Sequence, residues 1–79
     1  MNEEEIEINK AVSHALQCGS NASKNIRTFY SDTINTYQLE KLNLIMESMM
    51  FFAELKNIRQ LDLELANMLK LQFELENEI

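Results

Sequence analysis

The chain has 79 residues, with one Gly, no Pro and a formal net charge of −6. This length allows one small domain, and turn-rich all-β folds are disfavoured because they need Gly and Pro at short intervals. The 13 acidic residues outnumber the 7 Lys and Arg, which disfavours nucleic acid as a partner, since phosphate binding relies on cations. Helix-forming Leu, Glu, Lys, Gln and Met are frequent, so the predicted fold class is all-α.

The N-terminal segment and the cysteine content favour a cytoplasmic protein. The start, MNEEEIE, is acidic and lacks the basic-then-apolar pattern of a signal peptide. The one cysteine, Cys18, rules out an internal disulfide and fits a reducing compartment. The longest apolar run, 49–53, is far shorter than the roughly twenty residues that span a bilayer. We therefore expect no membrane span.

The first half of the chain predicts one helix, from about residue 3 to 31. Its apolar and small residues fall on one stripe at about 100° per residue. The stripe contains Ile8, Ala11, Val12, Ala15, Gly19, Ala22, Ile26, Phe29 and Tyr30. The segment CGSNAS (18–23) clusters poor helix formers, which could kink or break the helix. The small residues of the stripe let another backbone approach closely. Because the helix is intrinsically weak, we expect it to be ordered by packing and not by its own preference.

The segment YSDTINTYQ (30–38) predicts a connection at about 31–36. It is rich in turn and N-cap residues. Asn35 is followed three positions later by Gln38, the spacing of a capping box. A second helix is therefore predicted from about residue 36 to 77.

Two apolar series follow one another along this second helix. The first contains Leu39, Leu42, Met46, Met49 and Ala53, and the second contains Ile58, Leu61, Leu65, Met68, Leu75 and Ile79. They are out of phase, because five residues separate Ala53 from Ile58 where a helical pattern needs three or four. Either one long helix changes its buried face, or it breaks near 56–57, and we favour a break or bend. The chain then forms a helical hairpin or a three-helix bundle, completed by oligomerisation or by a partner chain.

Strands are an alternative for two segments near the C-terminus. LDLEL (61–65) and LKLQFELE (69–76) alternate apolar and polar residues, as half-buried strands do. Apart from Phe73 they lack β-branched and aromatic residues, and no turn chemistry separates them. Helix is therefore predicted, with Leu63 and Leu71 off the main apolar seam.

His14 and Cys18 are the residues most suited to bind a metal ion or to take part in catalysis. Four positions apart on a helix, they could share a zinc ion or form a nucleophile pair. Zinc needs three or four such ligands, and the chain has no other His or Cys. A catalytic pair also needs a third group and a pocket. We expect no metal, no cofactor and no enzyme activity.

The segment MESMMFFA (46–53) predicts a partner. On a helix, residues 49–53 point in every direction, so one neighbouring helix cannot cover them all. Nearby Glu47 and Glu54 disfavour binding to a membrane surface. A third helix, a second copy or a different protein must cover the remainder. The predicted partner-binding residues are Leu42, Met46, Met49, Met50, Phe51, Phe52, Leu61, Leu65, Met68 and Leu75.

The function inferred from these patterns is association with a protein. We expect a small chaperone or adaptor subunit that docks an apolar helical face on a partner, as part of a homo- or hetero-oligomer. A self-associating homodimer is one alternative, because two helical hairpins form a four-helix bundle. A phage-type or regulatory inhibitor that binds a host protein is another.

One segment resembles a known family. In TYQLEKLNLIMESMMFF (36–52), the pair Tyr37 and Gln38 opens the second helix, and apolar residues, Met46 among them, follow around Glu47. In this the segment resembles the small helical-hairpin co-chaperones of type III secretion needle subunits. The resemblance implies a partner-dependent chaperone that keeps an aggregation-prone subunit from polymerising.

Overall fold

The computed structural model describes residues 2–78, which form three α-helices. Helix α1 spans Glu3–Phe29, α2 spans Thr36–Glu54 and α3 spans Ile58–Asn77. The all-α prediction is confirmed, and no strand occurs between residues 2 and 78, although LDLEL and LKLQFELE alternate. Residues 1 and 79 of the predicted domain lie outside the described residues.

The helix ends follow local signals in the sequence. Asn2, Asn35 and Asn57 are the N-caps, and each side chain accepts a hydrogen bond from the backbone N–H three residues further on. The capping box of Asn35 and Gln38 is present, with bonds of 2.8 and 3.0 Å. Helix α1 ends at Phe29, slightly before the expected end at 31, and the segment 18–23 does not interrupt it.

A three-residue connection, 55–57, separates α2 from α3. The N–H of Asn57 donates to the carbonyl of Phe52, and the N–H of Lys56 donates to that of Ala53. This is the Schellman pattern, which closes a helix and turns the chain away. Lys56 adopts φ 54°, in the left-handed region that glycine usually occupies. A non-glycine residue in this conformation costs about 1 kcal/mol.

The three helices run up, down and up. Near the start of α2, the side-chain amide of Gln38 donates to the carboxylate of Glu78, just beyond α3, at 3.1 Å. Near the end of α1, Arg27 donates to Asn43 of α2. Both neighbouring pairs are therefore antiparallel. All three pairs of helices are in contact, and the bundle measures 47 × 16 × 15 Å.

The core combines small side chains from α1 with large ones from α2 and α3. Helix α1 buries Ala15, Gly19, Ala22 and Ser23 beside a single large residue, Ile26. The fully buried large residues of the other helices are Leu42, Met49, Leu61, Met68, Leu71 and Leu75. A Cβ added to Gly19 would lie 2.6 Å from Cε of Met49. The missing side chain at Gly19 therefore lets Met49 reach the backbone of α1.

Several positions differ from the predicted seams, among them Ala11 and Leu39, which are exposed. Phe29 is exposed, because it is the last residue of α1 and stands at the edge of the apolar stripe. Leu71 is fully buried although it was expected off the seam. Helix α3 contacts both other helices, so it buries a wider face than a helix with one neighbour does.

Lys56→Gly should stabilise the protein by about 0.5–1 kcal/mol, because glycine adopts the left-handed conformation without steric cost. The free energy of unfolding in urea measures this. Lys70→Gly, the same change at an exposed position inside α3, is the control and should cost about 1 kcal/mol. A loss of stability in the Lys56 variant would contradict the Schellman assignment.

Substituting alanine for Met49 and for Met50, which are adjacent, should lower the free energy of unfolding by very different amounts. Met49 is 0% exposed and Met50 is 60% exposed. Met49→Ala should lower the free energy of unfolding by about 2–5 kcal/mol, because it leaves a cavity beside Gly19. Met50→Ala should change it by less than about 1 kcal/mol. Equal losses in urea denaturation would mean that the register of α2 is wrong.

Candidate interaction surface

The ten predicted partner-binding residues differ in how deeply their side chains are buried. Five are fully buried in the chain's own core, namely Leu42, Met49, Leu61, Met68 and Leu75. Three are half-buried, namely Met46, Phe52 and Leu65, and two are exposed, namely Met50 and Phe51. The third helix covers faces that a two-helix hairpin would leave open, so the fully buried residues present no surface to another molecule in this fold. Partner binding stays a prediction, and its surface has to be sought among exposed side chains.

Four large side chains form an exposed row, three of them on α2 and the fourth on its C-cap residue, Leu55. Tyr37, Leu44, Phe51 and Leu55 are 72%, 62%, 56% and 59% exposed. The first three are seven residues apart, so each step rotates by only about 20° around the helix, and Leu55 follows one turn after Phe51. We call these four residues the α2 stripe. At 1.5 Å per residue the row is about 27 Å long.

The α2 stripe lies on the flank of α2 that faces away from α1. Met50 lines a groove with Val12 and Leu16 of α1, which marks the flank of α2 nearest α1. On the far side of the stripe, Lys41 and Ser48 are half-buried. Since α2 has only two neighbouring helices within residues 2–78, that second edge lies beside α3.

Three glutamates follow the other edge of the α2 stripe. Glu40, Glu47 and Glu54 each come three residues after Tyr37, Leu44 and Phe51 respectively, which places them about 60° around the helix. All three are exposed. Among residues 2–78 they form no ion pair or hydrogen bond through their side chains. Their carboxylates are therefore available to another molecule.

Neighbouring side chains shape the two ends of the α2 stripe. The ring of Phe51 meets the half-buried ring of Phe52 edge to face, with centroids 5.4 Å apart and an interplanar angle of 67°. At the other end, Tyr37 and Leu44, with Lys41 between them, line a shallow depression. The stripe thus has a pair of aromatic rings near one end and a shallow depression at the other.

The other helices carry less regular exposed apolar residues. On α3, Leu69 and Phe73 share a flank, but Leu63 is about 120° away from Leu69 around the helix. On α1, Ile6 and Phe29 lie near opposite ends. Helix α2 therefore has the longest exposed apolar row among residues 2–78, and this row is the candidate surface.

The predicted set contains Phe51 but not Tyr37, Leu44 or Leu55. The seven-residue spacing of Tyr37, Leu44 and Phe51 was the available signal. The core residues Leu42 and Met49 have the same spacing, so spacing by itself does not distinguish the exposed row from the buried one.

His14 and Cys18 lie together on α1. The Sγ of Cys18 is 3.7 Å from Nε2 of His14. In the described part of the chain no three His, Cys, Asp or Glu side chains are grouped so that they could hold a metal ion. The pair is a contact between successive turns of one helix. Separately, none of the three helices is both long and apolar enough to cross a bilayer, as far as residues 2–78 show.

Comparison with known proteins identifies no relative. The sequence matches no family model, and neither a curated protein nor a solved structure matches it. The function is therefore argued from the chemistry of the surface.

Substituting glutamine for Leu42 and for Leu44 should change the free energy of unfolding by very different amounts. Leu44→Gln removes an exposed apolar group and keeps a good helix former, so the free energy of unfolding should change by less than about 0.5 kcal/mol. Leu42→Gln buries an amide in the core and should cost at least about 2 kcal/mol. Thermal and urea unfolding followed by circular dichroism measure both. A large loss at Leu44 would show that the α2 stripe is needed for folding.

Proposed function

We propose that this chain is a non-enzymatic protein-interaction protein, a chaperone or adaptor subunit that docks the α2 stripe on a partner protein. The observation that carries the proposal is the row of four large, exposed apolar side chains along one flank of α2. Single exposed apolar residues are ordinary, whereas a row of them along one flank of a helix marks a surface that another molecule covers.

The spacing of the α2 stripe favours a helix as the covering element. A repeat of seven residues runs nearly parallel to the helix axis, as in seams where two helices cross at about 20°. A partner helix laid along α2 beside α3 would complete a four-helix bundle. An extended peptide is less suited, because the paired helices of this fold offer no free strand edge among residues 2–78.

The chaperone role is supported by the resemblance of residues 36–52 to co-chaperones of type III secretion needle subunits. That segment contains Tyr37, Leu44 and Phe51 of the α2 stripe. A subunit that polymerises through an apolar helix would be kept apart while that helix occupies the stripe. A phage-type or regulatory inhibitor would use the same surface against a host protein. A single cysteine suits either role in a reducing compartment such as the cytoplasm.

Self-association is the second candidate, because a second copy would also cover the α2 stripe. In an antiparallel, two-fold symmetric pair the same patch meets itself. Glu40, Glu47 and Glu54 of the two copies would then flank one seam, where like charges repel. The row of glutamates therefore disfavours this antiparallel pair, whereas it suits a different protein that carries cations.

The proposal is tested by capture from a lysate of the native host. We expect the wild-type protein to retain a specific protein that the Leu44→Gln/Phe51→Gln variant loses by at least tenfold, as measured by quantitative mass spectrometry. The control, Leu63→Gln/Leu69→Gln, removes exposed leucines from α3 and should retain it. The interaction should then be reproduced with the purified partner.

Two outcomes would contradict the proposal. One is that both double variants retain the same proteins as the wild type. The other is that sedimentation velocity of the protein alone shows a stable dimer that Leu44→Gln/Phe51→Gln dissociates, which would assign the surface to a second copy.

A further inference from the structure

We propose that the segment bound by the α2 stripe is a basic amphipathic helix, whose Lys or Arg side chains pair with Glu40, Glu47 and Glu54. This inference rests on the proposed function and adds the chemistry of the partner. It follows from the arrangement of apolar and acidic side chains on one flank of α2.

The α2 stripe and the row of glutamates both repeat every seven residues. Each glutamate comes three residues after a member of the α2 stripe, and successive glutamates are seven residues apart. Their Cα atoms are therefore spaced by about 10.5 Å along the helix. A partner helix with an apolar seam has flanking positions that recur at the same interval. Cations at those positions would meet all three carboxylates at once.

The opposite edge of the α2 stripe differs in charge. It holds Lys41 and Ser48, both half-buried beside α3, and Lys41 is the one cation within α2. The three glutamates, by contrast, are exposed and lack side-chain partners among residues 2–78. A docked helix would thus meet negative charge along the edge nearer α1, where Glu54 lines a groove with Val12 and Leu16. The basic side chains of the docked helix would lie on this edge.

Apolar and acidic residues have separate tasks in such an interface. Exposed charge pairs at the rim add little affinity, but they raise the association rate and reject partners of the wrong charge. The overall charge of −6 attracts a basic segment electrostatically, and added salt screens this attraction and shortens its range. The α2 stripe therefore supplies most of the affinity, and the glutamates supply the discrimination.

The inference is tested with two synthetic fluorescent peptides of about 21 residues, three heptads long. Both have leucine at the seam positions. The basic probe has lysine at the flanking positions, and the acidic probe has glutamate at each of them. In fluorescence anisotropy, the full-length protein should bind the basic probe at least tenfold more tightly than the acidic one. The difference should shrink when the salt concentration is raised.

Two matched variants separate the row of glutamates from net charge. Glu40→Gln/Glu47→Gln/Glu54→Gln should lose most of the preference for the basic probe. Glu3→Gln/Glu4→Gln/Glu5→Gln removes the same number of charges from the exposed start of α1 and should keep it. All six positions are exposed, so both variants should fold, which circular dichroism checks.

Three results would overturn the inference. The probes bind equally, or both triple variants lose the preference to the same extent, or Leu44→Gln/Phe51→Gln binds the basic probe as tightly as the wild type. If a host protein is nevertheless captured through the α2 stripe, the proposed function stands and only the basic partner is wrong. If capture also fails, both are wrong.

Discussion

The close approach of α1 to the other two helices is the contact on which this fold depends. At Gly19 the backbone of α1 has no side chain in the way, and Met49 fills that space. Around this point α1 presents other small residues, Ala15 and Ala22, to the large leucines and methionines of α2 and α3. The segment 18–23 is a weak helix former by itself, so its continuous helix is stabilised by this packing. Helix α1 in turn covers apolar side chains that an isolated α2–α3 hairpin would expose.

The exposed surface is a consequence of the same arrangement. In a three-helix bundle each helix has two neighbours, and part of its circumference faces solvent. Helix α2 carries apolar residues on more of its circumference than two neighbours cover. Leu42, Ile45 and Met49 lie in the core, while Tyr37, Leu44, Phe51 and Leu55 remain exposed. The glutamates make the edge of the α2 stripe nearer α1 acidic, which gives the surface a basis for choosing among partners.

Local features were predictable to different degrees. The capping box at Asn35 and Gln38 depends on residues three apart, so it could be predicted from the sequence alone. The phase change between the two apolar series favoured a break near 56–57, but the Schellman turn there could not be predicted, because it places Lys56, and not glycine, in the left-handed conformation. Leu63 and Leu71 stand in similar alternating patterns, yet Leu71 is buried and Leu63 is exposed. Their difference depends on where α1 and α2 lie around α3.

The sequence by itself determined that the chain is helical, that Asn35 caps the second helix, and that the second half has more apolar surface than one neighbouring helix covers. The tertiary structure decided which apolar residues remain outside. Leu42 and Met49 form one seven-residue row on α2, and Leu44 and Phe51 form another. Spacing records how apolar residues are arranged on one helix, but not the directions from which other helices approach. Only the positions of α1 and α3 make the first row core and leave the second to solvent.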